Sequence, residues 1–108
     1  MKVGEGKNPA PSGGPNPAAD LQKGIQTFRQ CLREHEKAMT SEEKGNSQRR
    51  MQSTMSIMDF AAQGMKKETR VQEQKVRKDY DVFQQNPSKD NASILEHDLN
   101  TLNESLKH

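Results

Sequence analysis

Residues 51–65, MQSTMSIMDFAAQGM, contain four of the six methionines of the chain. Met51, Met55, Met58 and Met65 are separated by four, three and seven residues. This spacing places side chains on one face of an α-helix. The stretch therefore predicts a helix with an adaptable apolar face, and the fold depends on what covers that face.

Composition favours an all-α fold. The 108 residues include 17 basic and 15 acidic side chains, which leave a net charge of only +2. Dense but balanced charge is typical of helices with solvated faces and argues against complete disorder. The chain has no Trp, one Tyr and three Phe, so it lacks the residues that stabilise strands. A chain of this length forms one domain at most.

Two parts are predicted along the chain. Residues 1–15 are rich in Gly and Pro with almost no apolar side chains, which predicts a disordered tail. Residues 16–108 are predicted to form a single helical domain. Its expected helices run over about 17–44, 48–84 and 90–106, with Asn16 as the first N-cap. Gly45 and the Asn86-Pro87 pair are expected to end the first two helices.

These helices predict an elongated antiparallel hairpin or a three-helix, coiled-coil-like bundle. A turn centred on Gly45 places Met58 opposite Leu32, and a turn near Pro87 places Val76 opposite Leu99. The residues predicted to form the core stripe are Leu21, Ile25, Phe28, Leu32, Met39, Met51, Met55, Met58, Met65, Val76 and Tyr80.

Two further stripes are predicted to bind a partner. Ile57, Ala61 and Gly64 lie beside the methionine stripe. The small residues among them, Ala61 and Gly64, permit close approach of another helix. The third predicted helix carries the leucine stripe Leu95, Leu99, Leu102 and Leu106, which needs an apolar surface to cover it. The expected partner is a helix from a second copy of the chain or from another protein.

Catalytic, metal and cofactor sites are not predicted. Cys31 is the only cysteine, which excludes an intrachain disulfide and favours a reducing compartment such as the cytoplasm. Cys31 and His35 could offer two metal ligands, but two more are missing nearby. The sequence shows no nucleophile beside a base, no phosphate-binding Gly-rich loop, no classical signal peptide and no membrane span. We therefore expect no enzyme activity and no small-molecule substrate.

Residues 66–78 are the most basic stretch and offer an alternative function as a nucleic-acid-associated helical protein. Lysine and arginine side chains there could contact phosphates. However, Glu68, Glu73 and the adjacent Asp79 are interleaved with them, and stacking aromatic residues are missing. A solvated helical face is the favoured interpretation of this stretch.

A local likeness gives a second alternative. Residues 86–100, NPSKDNASILEHDLN, place a Pro-containing turn before an apolar-rich helix and are similar to the turn of type III secretion needle subunits. Those subunits are helical hairpins that polymerise and are kept soluble by small helical chaperones. The resemblance covers about 15 residues and implies a secretion-system subunit or its chaperone. This chain has an extra helix before the turn and a shorter one after it.

The leading hypothesis from the sequence is a non-enzymatic helical protein–protein interaction module. As an adaptor, an assembly subunit or a small chaperone, it would complete a coiled coil with a partner or with a second copy. The sustained heptad spacing and the scarcity of core residues support this hypothesis.

Overall fold

The computed structural model describes residues 16–107, and within this range the chain is helical without strands. Its four helices are α1 (Pro17–Lys37), α2 (Ser41–Ala62), α3 (Lys67–Gln85) and α4 (Lys89–Ser105). The all-α prediction is confirmed. The predicted tail, residues 1–15, lies outside the described residues.

The start of α1 follows from its first two residues. The side chain of Asn16 accepts a hydrogen bond from the backbone N–H of Ala19 at 3.1 Å. Pro17 occupies the first turn, where a missing N–H costs nothing. Together these residues fix the first helical turn.

The connection between α1 and α2 lies earlier in the sequence than predicted. The predicted helix over 17–44 is therefore wrong, because α1 ends at Lys37. The side chain of Thr40 accepts from the backbone N–H of Glu43 at 3.1 Å, and the Glu43 carboxylate accepts from the N–H groups of Thr40 and Met39. This reciprocal capping box begins α2 at Ser41. Gly45 therefore lies inside α2 and does not end a helix.

The predicted helix over 48–84 is also wrong, because it is divided into α2 and α3 at residues 63–66. The N–H groups of Gln63, Gly64 and Met65 donate to carbonyls three residues earlier, which tightens and ends α2. Gly64 packs closely on Pro17: a Cβ added to Gly64 would lie 2.9 Å from the Cγ of Pro17. Folding back at this point lets both halves bury their apolar faces.

The connection between α3 and α4 contains the Asn86-Pro87 pair. Ser88 is the N-cap of α4, and its hydroxyl accepts from the N–H of Asn91 at 3.1 Å. The Asn91 side chain donates back to the carbonyl of Asn86 at 2.8 Å. The turn is thereby closed from both sides.

The helices form two antiparallel hairpins, α1–α2 and α3–α4, which share one apolar core. Contacts of α2 with α3 and of α1 with α4 join the hairpins. Phe28 of α1 meets Tyr80 of α3 edge to face, with ring centroids 5.3 Å apart. The expected number of three helices is therefore wrong. The buried apolar core consists of Leu21, Ile25, Phe28, Cys31, Leu32, Met51, Met55, Met58, Ala61, Ala62, Val76, Tyr80, Phe83, Ala92, Leu95, Leu99 and Leu102.

The earlier turn changes the pairing of α1 with α2. Met58 packs on Gly24, which lies eight residues before the predicted facing residue Leu32. Eight residues are close to two helical turns, so the apolar stripe still faces inward after the change. In the second hairpin, the hydroxyls of Thr69 and Ser105 lie 3.4 Å apart, close to the predicted register.

Two predicted core residues lie elsewhere. Met39 is 90% exposed because it occupies the turn between α1 and α2. Met65 lies in the short connection after α2 and is partly buried against the edge of the core. The other nine residues of the predicted core stripe are buried.

Candidate interaction surface and buried carboxyl groups

The leucine stripe predicted to bind a partner is covered within the chain. Leu95, Leu99 and Leu102 are fully buried in the shared core, and Leu106 packs partly buried against it. They are covered by α3 and α1, against which α4 packs. Leu95, Leu99 and Leu102 are core residues and Leu106 lies at the edge of the core, so their assignment as a partner surface is corrected.

The small residues beside the methionine stripe also serve the chain's own packing. Ala61 is buried, and Gly64 lies against Pro17 at the start of α1. On α1, a Cβ added to Gly24 would lie 2.7 Å from the Cγ of Met58. The close approach expected for a partner helix is made by α1 itself.

Ile57 is the member of this stripe that extends from the surface. Its side chain is 56% exposed, and that of Phe60 is 58% exposed. Ile57 and Phe60 lie on one face of α2, and Gly64 follows four residues later, just after the helix ends; we call these three residues the α2 strip. An open groove between α1 and α2 runs beside it. The groove is lined by Asp20, Lys23, Gly24, Thr27, Thr54 and Ile57.

Phe60 was missed in the interpretation of the sequence. Its position three residues after Ile57 and off the methionine stripe is the signal that could have found it. Of the predicted partner-binding residues, the exposed ones are Ile57 on α2 and Gly64 in the connection that follows it.

A buried carboxyl pair lies between α2 and α3. Glu73 of α3 is 0% exposed, and its carboxyl group contacts that of Asp59 on α2. Burial first, and then the hydrogen bond and the charge of Asp59, raise the pKa of Glu73 to about 8. Arg77 binds the other oxygen of Asp59 at 2.9 Å. The surroundings of Glu73 therefore favour the protonated form of its carboxyl group.

A second carboxyl pair lies between α3 and α4. Asp98 of α4 is buried and contacts Asp79 of α3. Burial, followed by the hydrogen bond and charge of Asp98, raises the pKa of Asp79 to about 7. The ammonium group of Lys75 lies 3.9 Å from a carboxylate oxygen of Asp98. Neither carboxyl pair was predicted, because heptad spacing alone shows no contact between separate helices.

Several basic groups of residues 66–78 are paired with acidic side chains. Arg77 contacts Asp59 at 2.9 Å and Asp81 at 3.8 Å. Lys75 contacts Asp98, and Lys66 lies 3.8 Å from Glu68. These ion pairs partly neutralise the stretch that the nucleic-acid alternative requires.

Cys31 and His35 both lie in the interior. Burial raises the pKa of the Cys31 thiol, and His35 meets Phe83 edge to face at 5.6 Å. Within residues 16–107, no group of three or more His, Cys, Asp or Glu side chains could hold a metal ion. In the same range, no helix is long and apolar enough to cross a membrane.

Comparisons with protein-family models, curated proteins and solved structures return no match to the chain.

Proposed function

We propose that the chain is a non-enzymatic helical protein–protein interaction module that binds a partner helix on α2. The observation that carries this proposal is the α2 strip. Ile57 and Phe60 are each more than half exposed and are neighbours on one helical face. Adjacent exposed apolar side chains with polar surroundings are typical of protein-binding surfaces.

An amphipathic helix is the occupant that fits this surface best. The groove between α1 and α2 is open, and Ile57 lies at its edge. A helix that presents apolar residues at steps of three and four could cover Ile57 and Phe60 together. Asp20 and Lys23 on the opposite side of the groove supply a polar rim. The docked helix would complete a coiled-coil-like contact with α1 and α2.

Photo-crosslinking tests this surface. A photoreactive phenylalanine analogue replaces Phe60 in one variant and Ile94 in a control variant, and crosslinked proteins from the source cells are identified by mass spectrometry. Ile94 of α4 is a matched control because it is 52% exposed. We expect one partner to crosslink at position 60 and not at position 94. Light scattering of the purified chain shows whether that partner is a second copy.

Affinity measurements with the identified partner provide the decisive comparison. Phe60→Asp should weaken binding about tenfold or more, since a charge would be buried against an apolar face. Its free energy of unfolding should change by no more than about 0.5 kcal/mol, because the side chain is exposed. Ile94→Asp should leave the affinity unchanged. Equal crosslinking at positions 60 and 94, or unchanged binding by Phe60→Asp, would contradict the proposal.

The nucleic-acid alternative is less well supported. Contacts of Arg77 and Lys75 with Asp59, Asp81 and Asp98 occupy part of the basic charge. Phosphate binding would give a steep loss of affinity with added salt, whereas the α2 strip predicts weak salt dependence. The same binding assay at two salt concentrations separates the alternatives.

The secretion-subunit alternative rests on the turn at residues 86–100. Subunit polymerisation needs an uncovered apolar face, but Leu95, Leu99 and Leu102 of α4 are already buried against the chain's own helices. This packing favours an adaptor or chaperone over a polymerising subunit. A single buried thiol, Cys31, fits a reducing compartment as the expected location.

A further inference from the structure

α3 carries two carboxyl groups that lie against carboxyl groups of its neighbours. Glu73 contacts Asp59 of α2, and Asp79 contacts Asp98 of α4. The two positions on α3 are six residues apart, so they lie on different sides of the helix. α3 is thus attached to both neighbouring helices through pairs of acids.

The oxygen atoms of these pairs need shared protons. One buried oxygen of Glu73, one of Asp59 and one of Asp79 have no hydrogen-bond partner as long as both members of each pair are ionised. Ionised carboxylates only accept hydrogen bonds, whereas a protonated carboxyl donates one. A single proton in each pair supplies the missing donor.

Two basic side chains lie near each carboxyl pair. Near Glu73, Arg77 is bound to Asp59, and Arg70 lines the same cleft between α2 and α3. Near Asp79, the facing cations are Lys75 and Lys78 of α3 itself. The Glu73 side chain also accepts from the amide of Gln74 at 3.2 Å.

The third element in contact with these helices adds little charge at the pairs. α1 contacts α4 through Arg33, which lies 3.9 Å from Glu96. It contacts α3 through Phe28 and His35, which meet aromatic rings of Tyr80 and Phe83. Ionisation of either pair therefore leaves two carboxylates in contact at a junction between two helices.

We propose that α3 is a pH-sensitive element, released from α2 and α4 as rising pH removes the shared protons of the Asp59–Glu73 and Asp79–Asp98 pairs. Each step transfers one proton from a carboxyl group to solvent. Repulsion between the two resulting carboxylates then weakens the helix–helix contact.

The direction of the effect follows from linkage. Glu73 has a raised pKa in the folded chain, about 8 against an ordinary value of 4.5, and Asp79 has about 7 against 3.8. Between the ordinary and the raised pKa, the folded chain binds more protons than the unfolded chain, so stability falls as pH rises.

Melting temperature as a function of pH tests the proposal. From about pH 5 to about pH 9, the wild-type melting temperature should fall by at least about 5 °C. Glu73→Gln and Asp79→Asn imitate the protonated groups. In the double variant the melting temperature should therefore decrease by less than half as much as in the wild type. Glu68→Gln is the matched control, because Glu68 is a carboxylate on α3 that is 81% exposed, and it should retain the wild-type fall.

Hydrogen exchange of the wild-type chain gives a reading that does not require the variants to fold. After correction for intrinsic exchange rates, amide protection in α3 should decrease from pH 5 to pH 9 more than protection in α1. A melting temperature that is constant over this range, or an equal fall in the wild type and the double variant, overturns the proposal. Equal changes in protection of α1 and α3 overturn it as well.

Discussion

The two hairpins use different means to hold their helices together. In α1–α2, close backbone approach dominates, with Gly24 against Met58 and Gly64 against Pro17. In α3–α4, leucines meet Val76 and Tyr80, and polar side chains are buried among them. The buried carboxylic acids, Glu73 and Asp98, both belong to this second hairpin.

Two buried hydroxyl groups of the first hairpin are satisfied within their own helix. The hydroxyls of Ser47 and Thr54 donate to backbone carbonyls four residues earlier, at 2.9 Å and 2.7 Å. By contrast, Gln72 and Ser105 of the second hairpin reach across to the opposite helix. The buried contacts between helices are thus mainly ones of shape in the first hairpin, where the Glu34–Arg50 ion pair lies at the surface, whereas the second hairpin also has partly buried polar contacts between its helices.

The largest expected effect comes from Leu99→Asp in the second hairpin. Leu99 is fully buried, so the change loses apolar contacts and buries a charge, at a cost of more than about 4 kcal/mol. Because Phe28 packs on Tyr80 in the shared core, we expect both hairpins to unfold together. Urea denaturation gives the free energy, and hydrogen exchange shows which helices open. Native-level protection of α1 and α2 in this variant would show that the hairpins are independent.

Most of the core could be predicted from sequence, although the helix boundaries could not. Leu21, Ile25 and Phe28 keep their inward positions because a heptad stripe faces inward whether the turn lies at Gly45 or at Thr40. The boundary depended on a choice between two local signals. Gly45 resembled a helix end, but the capping box of Thr40 with Glu43 satisfies more backbone N–H groups at once.

The division of α2 from α3 has no comparably strong local signal. Gly64 occurs there, but its requirement comes from contact with Pro17, which is 47 residues earlier in the chain. The same limitation applies to the carboxyl pairs, whose members come from separate helices. Helical periodicity identified Ile57 as an off-stripe residue, yet it could not show that α1 would cover Ala61 and leave Phe60 exposed.

A smaller effect is expected for Gly24→Ala, which tests the close approach in the first hairpin. The added Cβ would lie 2.7 Å from the Cγ of Met58, so the helices or the methionine must move. We expect a loss of about 1–3 kcal/mol, measured by urea denaturation.

Met58→Ala provides the second arm of a double-mutant cycle. In that background the overlap is gone, so Gly24→Ala should become neutral or stabilising, because Ala favours helices more than Gly. Equal costs in both backgrounds would show that Gly24 and Met58 do not set the distance between α1 and α2.

The smallest effect, and the sharpest test of where the first hairpin turns, is expected for Gly45→Ala. Gly45 lies within α2, and an added Cβ would meet only the Nη1 of Arg49 at an ordinary distance of 3.7 Å. Replacing an interior helical glycine should therefore stabilise the chain by about 0.5–1 kcal/mol. A turn at Gly45 would require a left-handed conformation that alanine adopts poorly, so the same change would be destabilising. The sign of the change in urea midpoint distinguishes the two positions of the turn, and a decrease would mean that α1 extends to residue 44 after all.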